Sequence, residues 1–212
     1  MALLLPALSK AKDQAMQIAC ASNLRQMALG IQQYVNDNDG FLPPVSIPAH
    51  LYGENAQFYL LAPYVNIANV GNVTANNVFY CPSTIPKDRC FYHSNGVLYS
   101  YAPSSYAWNH ELTINYGNPS AYPRNISTYT GIMAKTVLFY EWRILQEGEG
   151  GVYSMYVWNC SPYYSGSFRQ CVITKPAHKG RNYFAFMDGH VTGISTRPNP
   201  ADYITNDIQW VP

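Results

Sequence analysis

The chain has 212 residues, enough for one sizeable core without a second domain. Charged side chains make up 12% of it, against roughly 25% in ordinary soluble domains, and the net charge is only +1. No basic field favours nucleic acid, and no field of either sign steers a charged substrate. Polar but uncharged residues must furnish the surface, and tyrosine alone contributes 19 side chains. That composition suits an extracytoplasmic protein whose faces meet other protein or polysaccharide, since tyrosine joins a rigid apolar body to a polar tip.

Residues 1–35 predict one long helix. Its first turns, with Leu3, Leu4, Leu5, Pro6 and Leu8, are almost purely apolar, and Lys10, Lys12 and Asp13 follow. This eight-residue apolar run is far short of the ~20 residues a membrane span requires. It also lacks the charged n-region and cleavage site of a signal peptide. It reads as the membrane-proximal stub of a longer hydrophobic helix whose upstream part precedes this sequence. One small aliphatic stripe, Leu4, Leu8, Ala11, Ala15 and Ile18, suits packing against other helices. A bulkier stripe, Met16, Cys20, Leu24, Met27, Ile31 and Tyr34, should dock on a sheet. Pro6 is expected to kink or loosen the helix. Asn36 to Gly40 reads as its stop, and Pro43-Pro44 prevents a restart. The same stretch imitates half of a calcium loop, but counting from Asp37 the position of the bidentate Glu falls on Pro48, so the motif fails.

From Phe41 to Arg124 short apolar pieces alternate with turn residues, with a short helix expected over 57–65. Strands are expected over Thr136 to Trp142 and Val152 to Trp158, rich in β-branched and aromatic residues. Tyr183 to Met187 and His190 to Ile194 flank Asp188-Gly189, a strong hairpin signal that predicts a two-residue turn with positive φ at both positions. The expected fold is α+β, the assembly helix 1–35 lying across an antiparallel sheet in a head spanning 36–212, with a hairpin at 178–194.

Five cysteines occur, none in a C-x-x-C pair, so no zinc ribbon, other metal or cofactor is expected. Cys160 and Cys171 bracket a turn-rich segment that a disulfide would staple, stabilising by about 2–3 kcal/mol. Such a bond implies an oxidising compartment. No H-E-x-x-H, G-x-S-x-G or P-loop pattern is present. His178 and Asp188 tempt one to propose a dyad, yet a strand between them would hold the ends roughly 20 Å apart. Proton transfer needs about 3 Å. Both therefore read as structural pins, with Asp188-Gly189 forming the turn and His178 tying the preceding loop to backbone or sheet edge. Glu141 ends an apolar strand and is expected to pair with Arg or backbone. No catalytic residue is expected.

Three stretches carry a family resemblance. They are Leu5 to Ala11 with Cys20-Ala21-Ser22-Asn23-Leu24-Arg25-Gln26, then Tyr34 to Pro44, and His178 to Val191. The first two are similar to type IV pilin-like proteins of the prepilin-type cleavage/methylation group. The last resembles their processing-associated H-X9-DG domain, with nine residues between His178 and Asp188. Phe79 to Ser83 and Ser105 to Asn109 also look like segments of that family.

The resemblance implies a pilin or pseudopilin of a type IV pilus or type II secretion filament. Its leader would be cut by a prepilin peptidase, and its subunits would associate with one another and with the assembly machinery through Leu3, Leu4, Leu5, Pro6, Leu8, Ala11 and Ala15. It would sit in the inner membrane before assembly, its head periplasmic or extracellular. No enzymatic activity, cofactor or nucleic-acid partner is implied. It also favours a Cys20–Cys81 disulfide, both residues lying in family segments and Cys20 facing the buried side of the helix. A local Cys81–Cys90 bond is the rival, leaving Cys20 as a core thiol. The competing function is an anchored binding module holding a glycan or protein with the Tyr/Trp-rich stretches Tyr99 to Trp108 and Tyr153 to Tyr164.

Overall fold

A computed structural model of the chain describes residues 4–44, 56–68, 70, 77–83, 91–94, 97–100, 105–109, 112, 124–141, 178 and 180–195. The long helix is present as α1, Leu4–Asp37. Good helix formers (Ala, Leu, Gln, Met) fill it, and Pro6 falls in its first described turn, where proline is tolerated. The helix ends where the chain turns left-handed: Asp39 has φ 51° and Gly40 φ 83°. Gly40 N–H donates back to the Val35 carbonyl at 2.9 Å, and the Asn38 side chain caps Tyr34 O at 2.7 Å. Asn125 donates to Asp39 O at 3.1 Å, so this stretch is a tethered helix stop.

The two halves of α1 differ in kind. Cys20, Leu24, Met27, Ala28, Ile31 and Val35 are buried at helical spacing, while Met16 and Tyr34 at the ends of the stripe are half-buried. From Leu5 to Ala19 no side chain is buried, and Leu5, Leu8 and Ile18 are about seven-tenths exposed, at 71%, 68% and 70%. That stem, exposed or at most half-buried, is roughly 22 Å long at 1.5 Å per residue. Leu3 and the side chain of Leu4 lie outside the described residues.

The expected short helix is α2, Ala56–Leu61, which tightens into a 3-10 turn over Ala62–Val65. It crosses α1 at Gly30, where a Cβ would lie 2.8 Å from Leu61 Cδ1 and 2.9 Å from Val65 Cγ1. Any side chain there would force Leu61 or Val65 to shift. A small hairpin pairs β1 (Phe91–Ser94) with β2 (Val97–Ser100), where no strands were expected.

The main sheet is an antiparallel meander of β3 (Tyr106–Trp108), β4 (Val137–Glu141), β5 (Arg181–Phe186) and β6 (Val191–Ser195). The fold is thus α+β, with α1 packed against β4, β5 and β6. Every residue of β4 is buried, as expected for a strand covered on both faces. A bulge between Val137 and Phe139 shifts its register against β5, so that Phe139 opposes Ala185 and Tyr140 opposes Phe184. Leu138, Phe139, Ala185 and Met187 join the core under α1, with Phe58 and Phe79 edge-on to each other at 5.3 Å. The strand expected at Val152 to Trp158 lies outside the described residues.

The β5–β6 hairpin forms as read, but its turn is not a two-residue one. Gly189 N–H donates to Phe186 O and Phe186 N–H to His190 O, both at 2.9 Å, and only Gly189 (φ 89°) is left-handed. This is a three-residue loop, a type I turn closed by a glycine bulge, so Asp188 keeps an ordinary φ. The tip leans on α1: Gln32 Nε2 reaches Met187 O at 3.5 Å, and a Cβ on Gly189 would meet Gln32 Nε2 at 3.1 Å. Gly189→Val should therefore lower unfolding free energy by about 1–3 kcal/mol through backbone strain, read as a fall in the denaturant midpoint at unchanged slope.

Candidate functional site

Four chain-distant elements meet beneath the middle of α1. Cys20 is the first buried residue of the helix, and Cys81 follows the buried Phe79 and Tyr80 in the turn 77–83. The two form a disulfide spanning 61 residues, with Cα atoms 5.1 Å apart. The rival Cys81–Cys90 bond is thereby excluded. Cys90, Cys160 and Cys171, and so the expected Cys160–Cys171 bond, lie outside the described residues.

Against this bond lies a buried His–Glu pair. Glu141 closes β4 with no exposed surface, and His178 stands just before β5. Gly180 (φ 73°) turns the chain just after His178, and Arg181 N–H donates to His178 O at 3.1 Å. His178 Nε2 is 2.9 Å from Glu141 Oε1, and His178 Nδ1 is 3.1 Å from Ser83 Oγ. The second carboxylate oxygen, Oε2, accepts the Tyr183 N–H at 2.7 Å. A neutral ring satisfies every contact by donating Nε2–H to Glu141 and accepting the Ser83 hydroxyl proton at Nδ1. Cys81 Sγ lies 3.7 Å from the same Nε2.

A second ring of contacts fixes α1 to the same place. Asn23 Nδ2 donates to Tyr80 O at 3.0 Å, and Tyr106 O–H donates to Cys20 O at 3.4 Å. Tyr106 stands opposite Glu141 in the β3–β4 register. Burial pushes the Tyr106 phenol well above its ordinary pKa, the Glu141 carboxylate adds to the rise, and the hydrogen bond from Asn23 opposes it. The phenol therefore stays a neutral donor to the helix.

The pins read from the sequence are thus placed as follows. His178 ties the loop before β5 inward, as expected, but onto the Glu141 side chain and Ser83. Glu141 finds a backbone N–H, as expected, with an imidazole in place of Arg. Asp188 does not approach His178; its Oδ1 takes His190 N–H at 3.1 Å and lies 2.6 Å from His190 Nδ1, at the partly exposed hairpin tip. In the Tyr99 to Trp108 stretch proposed to hold a ligand, Tyr106 and Trp108 are buried in β3, and Trp108 packs edge-on to Phe139 at 5.0 Å. Tyr153 to Tyr164 lie outside the described residues.

Comparison with family models, with curated proteins and with solved structures gave no match.

Leaving a buried acceptor unsatisfied costs about 1–3 kcal/mol, and more when that acceptor is charged. His178→Ala should fall in that range, because it strands Glu141 Oε1 without solvent. Asp188→Ala, at the open hairpin tip, should cost less than about 1 kcal/mol. Equilibrium denaturation of both variants checks the ordering. Opening the 61-residue Cys20–Cys81 loop should remove a further ~4 kcal/mol, seen when melting is compared with and without reductant.

Proposed function

We propose that the chain is a non-enzymatic, pilin-like filament subunit, assembled through the exposed half of α1, in a type IV pilus-like or type II secretion filament of the bacterial envelope. The observation that carries this reading is the contrast within one continuous helix. Cys20 to Val35 presents a buried stripe to the head, whereas Leu5, Leu8 and Ile18 point apolar side chains into solvent. A helix extending beyond its own core with exposed leucines suits burial against copies of itself, because each fully covered Leu or Ile contributes about 1.5–3 kcal/mol. Ala7, Ala11 and Ala15 keep the intervening surface low, which favours close approach of neighbouring helices.

The buried junction supports the same reading from the other side. A disulfide and a hydrogen-bonded His–Glu pair, all buried, hold the stem's root to the sheet. Precursor cleavage by a prepilin peptidase and anchoring in the inner membrane before assembly belong to this proposal. No helix among the described residues is long and apolar enough to cross a membrane.

The test is to express Leu5→Asp/Leu8→Asp from the native gene and examine sheared surface filaments by sedimentation and immunoblotting. The double variant should be missing from the filament fraction, while its head melts as the wild type does. Normal incorporation of this variant would remove the stem as the assembly element and sink the proposal.

A further inference from the structure

Four potential metal ligands converge at the buried junction: Cys20, Cys81, Glu141 and His178. One ligand atom from each lies within 4.8 Å of the other three, and all four residues are buried. We propose that, when the Cys20–Cys81 bond is reduced, these side chains bind one Zn2+ in a closed tetrahedral site. Disulfide and metal would then be alternative clasps for the same helix. This inference is independent of the filament reading.

The ligand set suits the metal. Zn2+ is borderline-soft and takes thiolate, imidazole and carboxylate donors at about 2.0–2.3 Å, which sets tetrahedral edges of roughly 3.3–3.8 Å. The separations of His178 Nε2 from Glu141 Oε1 and from Cys81 Sγ, 2.9 and 3.7 Å, are close to such edges. Once the S–S bond is broken, the sulfurs move apart towards the same spacing.

The outer partners are also in place. Ser83 Oγ at 3.1 Å from Nδ1 can accept as readily as donate, so the ring can carry its proton on Nδ1 and turn the Nε2 lone pair to the metal. Tyr183 N–H holds Glu141 Oε2 and leaves Oε1 for coordination. Both side chains are thus aimed before any metal arrives.

The chemistry balances in two steps. A dithiol reductant gives the disulfide two electrons and two protons and becomes a disulfide itself, leaving two cysteine thiols. Zn2+ then displaces one proton from each thiol and Glu141 Oε1 replaces its imidazole hydrogen bond with a metal bond. Two of the three negative charges gathered in the site are offset by the ion. A disulfide oxidant runs the sequence backwards: it takes two electrons and two protons from solvent to become a dithiol, the two thiolates join as the Cys20–Cys81 disulfide, and Zn2+ is released.

The experiment uses the full chain, alone and with Cys90, Cys160 and Cys171 changed to Ser so that those thiols cannot compete. It is reduced anaerobically with a trialkylphosphine, which takes up the oxygen of a water as phosphine oxide and leaves two thiols. Titration with Co2+ should give tetrahedral visible bands with thiolate charge transfer, saturating at one equivalent, and Zn2+ should displace the cobalt. The oxidised chain should give neither band. Zn2+ should raise the melting temperature of the reduced chain. His178→Ala should weaken Co2+ binding roughly a hundredfold or more, and Ser83→Ala, which keeps all four ligands, about tenfold. No thiolate–cobalt absorption, equal binding by the oxidised chain, or unchanged affinity in either variant would overturn the proposal.

Discussion

The bond between Cys20 and Cys81 sets what the rest of the molecule can do, because it joins the midpoint of α1 to the turn 77–83, which belongs to no strand or helix itself. Around it the polar groups close on one another. The carboxylate of Glu141 meets an imidazole and a backbone N–H, the imidazole meets a serine hydroxyl, and the Tyr106 phenol reaches the Cys20 carbonyl. Each of these groups would be costly if buried alone. Together they bring helix, turn, strand ends and the loop before the hairpin to one point, and the apolar core can then pack on a defined frame.

Two surfaces of α1 follow from that frame. C-terminal to the crosslink, the helix is committed to the sheet, with Gly30 allowing α2 to close over it and Gln32 reaching the hairpin tip. N-terminal to it, Gln17 accepts from the Tyr183 hydroxyl at 3.4 Å. Beyond that point the side chains of Leu5 and Leu8 have no core to enter. The change of character coincides with the crosslinked residue, not with any break in the helix.

Features set by neighbouring residues were legible in the sequence. The buried stripe of α1 was readable because a 3.6-residue period survives in Cys20, Leu24, Met27 and Ile31. The hairpin was readable because Asp188-Gly189 sits between two strand-like runs, although the pair does not fix loop length, and Met187 joined the turn. The β1–β2 hairpin was missed despite Asn95-Gly96 between its strands, a pair of the same kind. The meeting of His178 with Glu141 had no such signal, since the two are brought together by the β4–β5 register and the turn at Gly180. Ser83 could have been suspected only from its place beside Cys81-Pro82. Within Tyr99 to Trp108, aromatic content alone does not distinguish a binding surface from a core strand, and Tyr106 and Trp108 in β3 belong to the latter.

The position of Cys20 also determines how the protein answers tension. A pull applied to the start of α1 passes down an uncovered helix and meets its first buried residue at the crosslink. Without a covalent link the helix could peel from the sheet one turn at a time, each step breaking only a few contacts. With it, the load is transferred to residue 81 and from there into its turn, where Ser105, the residue before β3, donates its N–H to Phe79 O at 2.7 Å. The stripe from Leu24 to Val35 is then shielded from force by a bond that does not yield gradually.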